Sequence, residues 1–130
     1  MRRLGRLRAG ALLVLTLGIP GCDHQRQDDL QDAAALTGGD PGRGRQAMRQ
    51  YGCTTCHVIP GVPGASGTVG PPLTGIASRS YIAGVLTNTP AHMERWIRDP
   101  QGVDSLTAMP NLGVTARDAR DIAGYLYSLR

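Results

Sequence analysis

The sequence predicts a small all-α domain with long loops, on three observations. Three stretches begin with residues that cap helices, and the last of them carries apolar residues at helical spacing. No stretch shows the alternation of apolar and polar residues that is typical of a half-buried strand. Aromatic residues make up only 4% of the 130 residues and Phe is missing, so a bound group is expected to help fill the core of this single domain.

The first helix of the domain is predicted from residue 41 to about residue 50. Asp40 can cap this helix, and Pro41 suits the first helical position. Residues 58–75 are mostly Gly, Pro, Ser, Thr and Val, which indicates an ordered loop. A short helix is predicted over residues 80–86.

Two further helices are predicted beyond this loop. Thr89-Pro90 begins one that ends before Asp99-Pro100, because the residue before a proline disfavours helical geometry. A loop follows over residues 101–114. Thr115 resembles the first residue of a capping box and begins the last helix, which runs to about residue 129. Its predicted buried face consists of Ala119, Ile122, Ala123, Leu126 and Leu129.

The first 21 residues have the pattern of a secretory signal peptide, with four arginines before a short apolar run. The apolar run is shorter than the ~20 residues that cross a bilayer as a helix. Ile19-Pro20-Gly21-Cys22 resembles a bacterial lipobox of the lipoprotein type, so Cys22 is the predicted lipidation site. Ordinary cleavage, which would leave Cys22 as a free thiol, is the alternative. The lipid-anchored chain is expected at the cell membrane, on its periplasmic or extracytoplasmic face.

The charge of the chain argues against binding of nucleic acid through a basic surface. Residues 1–21 hold four of the 14 arginines, so the rest of the chain has as many basic as acidic residues and no excess of positive charge for nucleic acid.

Residues 22–40 are polar and acidic and predict a lipidated N-terminus with a flexible tether, with a short helix over residues 30–36 as an alternative. The folded domain is predicted over residues 41–130.

The motif that carries chemistry is Cys53-Thr54-Thr55-Cys56-His57. C-x-x-C-H is the attachment pattern of c-type haem. Two thiols on one turn can form thioethers to a single porphyrin, and the adjacent histidine can then bind the iron.

Two other sites compete with haem for this motif. A zinc site needs four ligands and would have to recruit His24 or His92. A thioredoxin-like dithiol is expected in a βαβ context, which the sequence lacks. The export signal favours haem, because c-type cytochromes are assembled outside the cytoplasm. The cysteine count agrees, with one cysteine for lipid and two for haem.

Residues 41–130 resemble a class I cytochrome c, and most closely the cytochrome c domain fused to subunit II of some haem-copper oxidases. Besides the haem motif, the resemblance rests on five stretches in the family's order: Gly70-Pro71-Pro72-Leu73, Ala77-Ser78-Arg79, Asn88-Thr89-Pro90, Glu94 to Pro100, and Met109 to Gly113. The resemblance implies the class I cytochrome c fold around one covalent haem c. It also implies that the carbonyl of Pro71 accepts a hydrogen bond from His57 Nδ1, and that Arg79 and Trp96 bind a haem propionate.

The second iron ligand is expected to be Met109, which lies in a predicted loop and precedes a proline that restricts the backbone. The position of Met109 in the family's order agrees. Four other residues are weaker candidates, because they lie on predicted helices or in the predicted tether: Met48, Met93, His92 and His24.

A haem held by histidine and methionine has no open position on the iron, so it suits one-electron transfer. The sequence therefore predicts a monomeric, membrane-tethered electron carrier of a respiratory chain and not an enzyme. The expected donor is a quinol–cytochrome c reductase, and the expected acceptor is a haem-copper oxidase. Two other functions stay open: a peroxidase or gas sensor with a labile Met109, and an electron-transfer subunit of a dehydrogenase complex.

Three arginines of the first predicted helix suggest how such a carrier meets its partner. Arg43, Arg45 and Arg49 are hypothesised to surround the exposed haem edge and to steer it towards an acidic surface. A solvated helix face is the alternative.

Overall fold

The computed structural model describes residues 21–130, with side chains from residue 23 onward. The predicted signal peptide, apart from the backbone of Gly21, and the side chain of Cys22 lie outside the described residues. The elements in chain order are α1 (Gly21–Thr37), α2 (Pro41–Gln50), β1 (Tyr81–Ile82), β2 (Leu86–Thr87), α3 (Pro90–Arg98), α4 (Pro100–Val103) and α5 (Ala116–Tyr127). No helix within this described part is long and apolar enough to cross a membrane.

The three predicted caps begin three of these helices, as expected. The carboxylate of Asp40 accepts from the backbone N–H of Arg43 at 2.9 Å at the start of α2. Thr89 caps α3 in the same way, and the hydroxyl of Thr115 accepts from the backbone N–H of Asp118 at 3.1 Å to begin α5. Local hydrogen-bonding chemistry therefore fixes the start of each helix.

Two local predictions are wrong. Residues 80–86 are not helical, because Ala83 and Gly84 have positive φ angles of 51° and 77° and turn the chain back on itself. β1 and β2 consequently pair as a short antiparallel ribbon, with Ile82 opposite Leu86. The predicted loop over residues 101–114 begins inside α4, whose first turn is capped by the carboxylate of Asp99.

Helix α1 lies where a flexible tether is predicted for residues 22–40. Ala33 is only 1% exposed and Thr37 is buried, while Leu30 is half-buried against the core. These residues recur at steps of three and four, so they share one side of the helix, which packs on α5. The helix forms because this face finds a partner in the folded domain.

Helix α5 crosses α2 at the centre of the domain. Four members of its predicted apolar face are buried and Leu129 is half-buried. The crossing is close, because a Cβ atom on Gly44 would overlap the backbone of Asp121 and Ile122. A glycine is therefore required at this point of α2 for steric reasons, although glycine weakens a helix.

Asp121 is a buried carboxylate that ties α5 to the start of α2. Arg43 donates to it through Nε at 2.8 Å and Nη2 at 3.0 Å, and the backbone N–H of Asp40 donates at 2.7 Å. The hydrogen bonds from Arg43 hold the pKa of Asp121 below its usual range and outweigh the opposing effect of burial. One turn earlier, a hydrogen bond from the hydroxyl of Tyr51 is the main cause that lowers the pKa of Asp118.

Gly44→Ala is predicted to destabilise the protein by about 1–3 kcal/mol, because the added methyl group overpacks the helix crossing. Gly42→Ala is the matched control, since Gly42 is an exposed glycine of the same helix whose Cβ would meet only the Asp40 side chain, at 3.1 Å. Urea unfolding of the haem-loaded proteins measures both effects. Equal stability of the two variants would contradict the close crossing.

Asp121→Asn is predicted to lower the stability at pH 7 by about 1.5–3 kcal/mol, the value of hydrogen bonds to a charged group. Because the folded-state pKa of Asp121 is depressed, its stabilisation is present above the unfolded value of about 3.9 and is lost as the pH falls through the folded value. The midpoint of urea unfolding is measured from pH 5 down to the most acidic pH at which the protein stays folded. Over this range the midpoint should fall less in the variant than in the parent protein. Asp28→Asn, at an exposed carboxylate, should reproduce the parent's profile.

Candidate functional site

The haem motif lies on a tight turn that directly follows α2. Gly52, with a φ of 76°, ends the helix, and Cys53–Thr55 form one turn of 3-10 helix. The backbone N–H groups of Cys56 and His57 both donate to the carbonyl of Cys53, at 3.3 and 3.1 Å. Both thiols are half-buried, and burial raises the pKa of the Cys53 thiol. The turn therefore brings the two thiols and the imidazole to one end of α2.

The imidazole of His57 is held by the loop that follows the motif. Its Nδ1 lies 2.7 Å from the carbonyl oxygen of Pro71. A carbonyl oxygen only accepts, so Nδ1 carries the proton and Nε2 keeps its lone pair for a metal. The loop passes so close that a Cβ atom on Gly70 would overlap the imidazole ring. Glycine at this position is therefore part of the site.

A cavity of about 490 Å³ opens beside His57, within the size range of cofactor sites. Six of the predicted site residues line it: Cys56, His57, Pro71, Arg79, Trp96 and Met109. Cys53 does not line it and packs beside the core on the same turn as Cys56. Much of the rest of its wall consists of apolar side chains: Val69, Leu73, Ile76, Ile82, Met93, Ile97 and Leu126. The cavity therefore suits a large, mainly apolar group.

Arg79 and Trp96 supply polar hydrogens at the cavity wall. Arg79 Nη2 donates to the carbonyl oxygens of Pro72 at 2.6 Å and Thr74 at 3.0 Å. Trp96 is 9% exposed. Because a guanidinium has five N–H donors, Arg79 keeps further donors after these two contacts.

The alternative iron ligands lie in different places. His92 does not line the cavity, and its Nδ1 donates to the carbonyl of Thr87 at 2.9 Å. His24 is exposed on α1, and Met48 is 1% exposed within the α2–α5 packing. Met93 is buried and does line the cavity, which the sequence analysis missed. The three-residue spacing of Met93 and Trp96 on α3 is the signal that could have indicated a shared face.

Asn88 lies in one of the stretches that carry the family resemblance, but its structural role is not predicted from the sequence. Its Nδ2 donates to the carbonyls of Ile76 and Arg79, both at 2.8 Å, and its Oδ1 accepts from the hydroxyl of Tyr127 at 2.7 Å. Burial raises the pKa of Tyr127 to about 12. Asn88 thereby joins α5 to the segment that carries Arg79.

The hypothesis that three arginines of α2 surround the exposed haem edge stays a prediction. Arg43, Arg45 and Arg49 do not line the cavity. Arg43 instead binds Asp121 and, at 3.0 Å, the carboxylate of Asp40. Its charge is used to hold α2 against α5.

The described part of the chain does not provide what the two alternative sites, a zinc site and a thioredoxin-like dithiol, would need. Residues 21–130 contain no group of three or more His, Cys, Asp or Glu side chains placed to hold a metal ion, as a zinc site would need. The sheet in these residues is the antiparallel β1–β2 ribbon, which does not provide the βαβ context of a thioredoxin-like dithiol. The turn of thiols, the oriented imidazole and the apolar cavity fit a covalent haem.

Comparison with known proteins agrees with this geometry. A family model described as cytochrome c matches residues 42–130. Cytochrome c oxidase subunit 2 of Alkalihalophilus pseudofirmus is 36% identical over 90 residues, which are 68% of this chain and 25% of the relative. The chain therefore spans about a quarter of the length of this curated relative. No solved structure matches the chain.

These matches confirm the resemblance that the motifs indicated, and with it the small helical fold. Proteins of this family are typically electron carriers that work outside the cytoplasm and are not enzymes. The pair Cys53 and Cys56 carries haem c covalently. The chain belongs to the cytochrome c family and is an electron carrier.

Proposed function

We propose that this cytochrome c is a membrane-tethered monohaem protein that carries single electrons in a respiratory chain, from a quinol–cytochrome c reductase to a haem-copper oxidase. The observation that carries the proposal is the hydrogen bond of 2.7 Å between His57 Nδ1 and Pro71, beside a cavity that Met109 also lines. Within this cavity His57 and Met109 would be the residues that hold the iron of a bound haem.

His57 is the proposed first iron ligand and Met109 the second. The contact with Pro71 orients the imidazole and leaves Nε2 as the ligand atom. The backbone N–H of Met109 donates to the hydroxyl of Thr107 at 3.2 Å, which limits the movement of the loop that bears the thioether. When bound, haem c supplies an iron that changes between the ferric and ferrous states, and a methionine ligand favours the ferrous state.

Arg79 and Trp96 are the proposed partners of a haem propionate. A carboxylate at the wall of an apolar cavity needs charged or N–H donors to offset its loss of water. Arg79 retains unused guanidinium hydrogens, and the indole N–H of Trp96, a residue of the cavity wall, is a further donor. Asn88 holds the backbone on which Arg79 is placed.

The acceptor is proposed from the relative described above, which is a subunit of cytochrome c oxidase. A domain similar to the one that such an oxidase carries as part of its own chain is expected to exchange electrons with a related oxidase. The proposed lipid at Cys22 supports a membrane location, because an anchor raises the effective concentration near partners in the same membrane. One acyl chain alone binds marginally, whereas two or more anchor stably.

Met109→Leu is predicted to remove the weak charge-transfer band between methionine sulfur and ferric iron and to lower the reduction potential, because the thioether is lost. Met93→Leu is the matched control, since Met93 lines the same cavity and is 2% exposed. It should keep the band and change the potential less. The oxidised absorption spectrum and a redox titration give both values. Loss of the band in Met93→Leu with its retention in Met109→Leu would contradict the ligand assignment.

Reduced protein is predicted to be oxidised by a purified haem-copper oxidase, and oxidised protein to be reduced by a quinol–cytochrome c reductase with quinol present. Stopped-flow absorption at the haem bands measures both steps. The lipidated protein in oxidase-containing vesicles should react faster than Cys22→Ser, because the anchor concentrates it at the membrane. Rapid reaction with peroxide would instead support the enzymatic alternative, and exclusive reduction by a co-purifying dehydrogenase would support the subunit alternative.

A further inference from the structure

Helix α1 is a folded part of the chain that the proposed carrier function does not use. Leu30, Ala33 and Thr37 recur at steps of three and four residues and form what we call the docked face, and Arg26, four residues before Leu30, is exposed on the same side of the helix. Ala33 is 1% and Thr37 9% exposed, and Leu30 is half-buried against the core. Ala35, on the opposite side of the helix, is exposed. The helix therefore packs on the domain by one defined side.

The start of α1 lies against the loop that follows the haem motif. A Cβ atom on Gly61 would lie 2.7 Å from Arg26 Nη2 and 2.5 Å from the hydroxyl of Tyr125, so these three groups meet at one point. The hydroxyl of Tyr125 donates to the carbonyl of Pro60 at 2.7 Å, which holds the loop in place. Arg26 is four residues after Cys22, a separation of about 6 Å along an α-helix. The backbone of Cys22 consequently lies about one helical turn from this contact.

Polar contacts also hold the later part of α1. Arg130 lies with Nε 3.6 Å from the carboxylate of Asp29 and with Nη2 3.4 Å from that of Asp32. The hydroxyl of Thr37 accepts from the backbone N–H of Gly39 at 3.2 Å and shapes the short connection to α2. The helix is thus tied to the domain near its start, its middle and its end.

We propose that α1 is a rigid arm that holds the domain at a short, fixed distance from a lipid bilayer. The inference rests on the proposed lipidation of Cys22. As a flexible coil, residues 23–40 would average about 25 Å between their ends and could extend to ~60 Å. Docking of the helix removes this freedom. No residue of α1 lines the haem cavity, so the arm leaves the cavity wall free for redox partners in the same membrane.

Ala33→Arg tests the arm, because it introduces a long charged side chain into the docked face and releases α1. Ala35→Arg is the matched control, since Ala35 is exposed on the same helix. The lipidated, haem-loaded proteins are placed in phosphatidylcholine vesicles with a fluorescent headgroup lipid, and energy transfer to the haem is measured. Parent and Ala35→Arg are expected to show the same efficiency and Ala33→Arg a lower one, because the released domain moves away from the headgroups. Equal efficiencies in all three proteins would overturn the arm.

A second pair of variants covers the case in which Ala33→Arg does not fold. Arg130→Glu reverses the charge that faces Asp29 and Asp32, whereas Arg98→Glu makes the same charge change at an exposed position on α3. Only Arg130→Glu is expected to lower the energy transfer and to speed hydrogen exchange at the α1 amides. The same effect in Arg98→Glu would mean that net charge, and not docking, sets the distance.

Failure of the anchor and failure of the arm give different results. If mass spectrometry finds no lipid on Cys22 and the parent protein does not bind vesicles, the proposed membrane anchor is wrong, and with it the membrane role of the arm. Hydrogen exchange of the parent protein in solution tests the docking by itself. Protected amides over residues 26–37 support a docked helix, and exchange at the rate of an unfolded peptide overturns it.

Discussion

The hydrogen bond from His57 to the carbonyl of Pro71 is the interaction on which the rest of the site depends. It spans 2.7 Å between residues fourteen positions apart and decides which imidazole nitrogen can bind a metal. The bond forms only because the intervening loop runs against the ring, at a place where Gly70 leaves no side chain in the way. The backbone N–H of Gly70 also donates to the carbonyl of Cys56 at 2.8 Å, so the loop is tied to the haem motif itself. The loop lacks regular secondary structure, but these hydrogen bonds hold its backbone in a defined position beside the imidazole.

Helices α2 and α5 determine the position at which the haem motif begins. Helix α2 ends directly at the haem motif, and its crossing with α5 at Gly44 sets its direction. The ion pair between Arg43 and the buried carboxylate of Asp121 holds the start of the same helix. Helix α5 in turn contributes Leu126 to the cavity wall. The packing of α2 and α5 and the cofactor site therefore share residues. A substitution at the helix crossing is expected to change the surroundings of the haem as well.

The sequence predicts the parts of this structure that depend on neighbouring residues. Helix caps and the C-x-x-C-H motif act within a few positions, so their residues could be named in advance. For helix α1 the sequence offers only a short helix over residues 30–36 as an alternative to the tether, because the burial of residues such as Ala33 depends on α5. The β1–β2 turn depends on a positive φ at Ala83, which alanine rarely adopts. The carboxylate of Asp121 that binds Arg43 is 78 residues away, so the charge pattern of α2 alone could not indicate this ion pair.

The central claim is that one haem is bound covalently through Cys53 and Cys56. Mass spectrometry of the denatured, properly exported protein tests it most directly, together with alkylation of free thiols. The account predicts a polypeptide that retains the mass of one haem and has both of these sulfurs protected from alkylation. A colourless polypeptide of unmodified mass, with both thiols alkylated, would contradict the account.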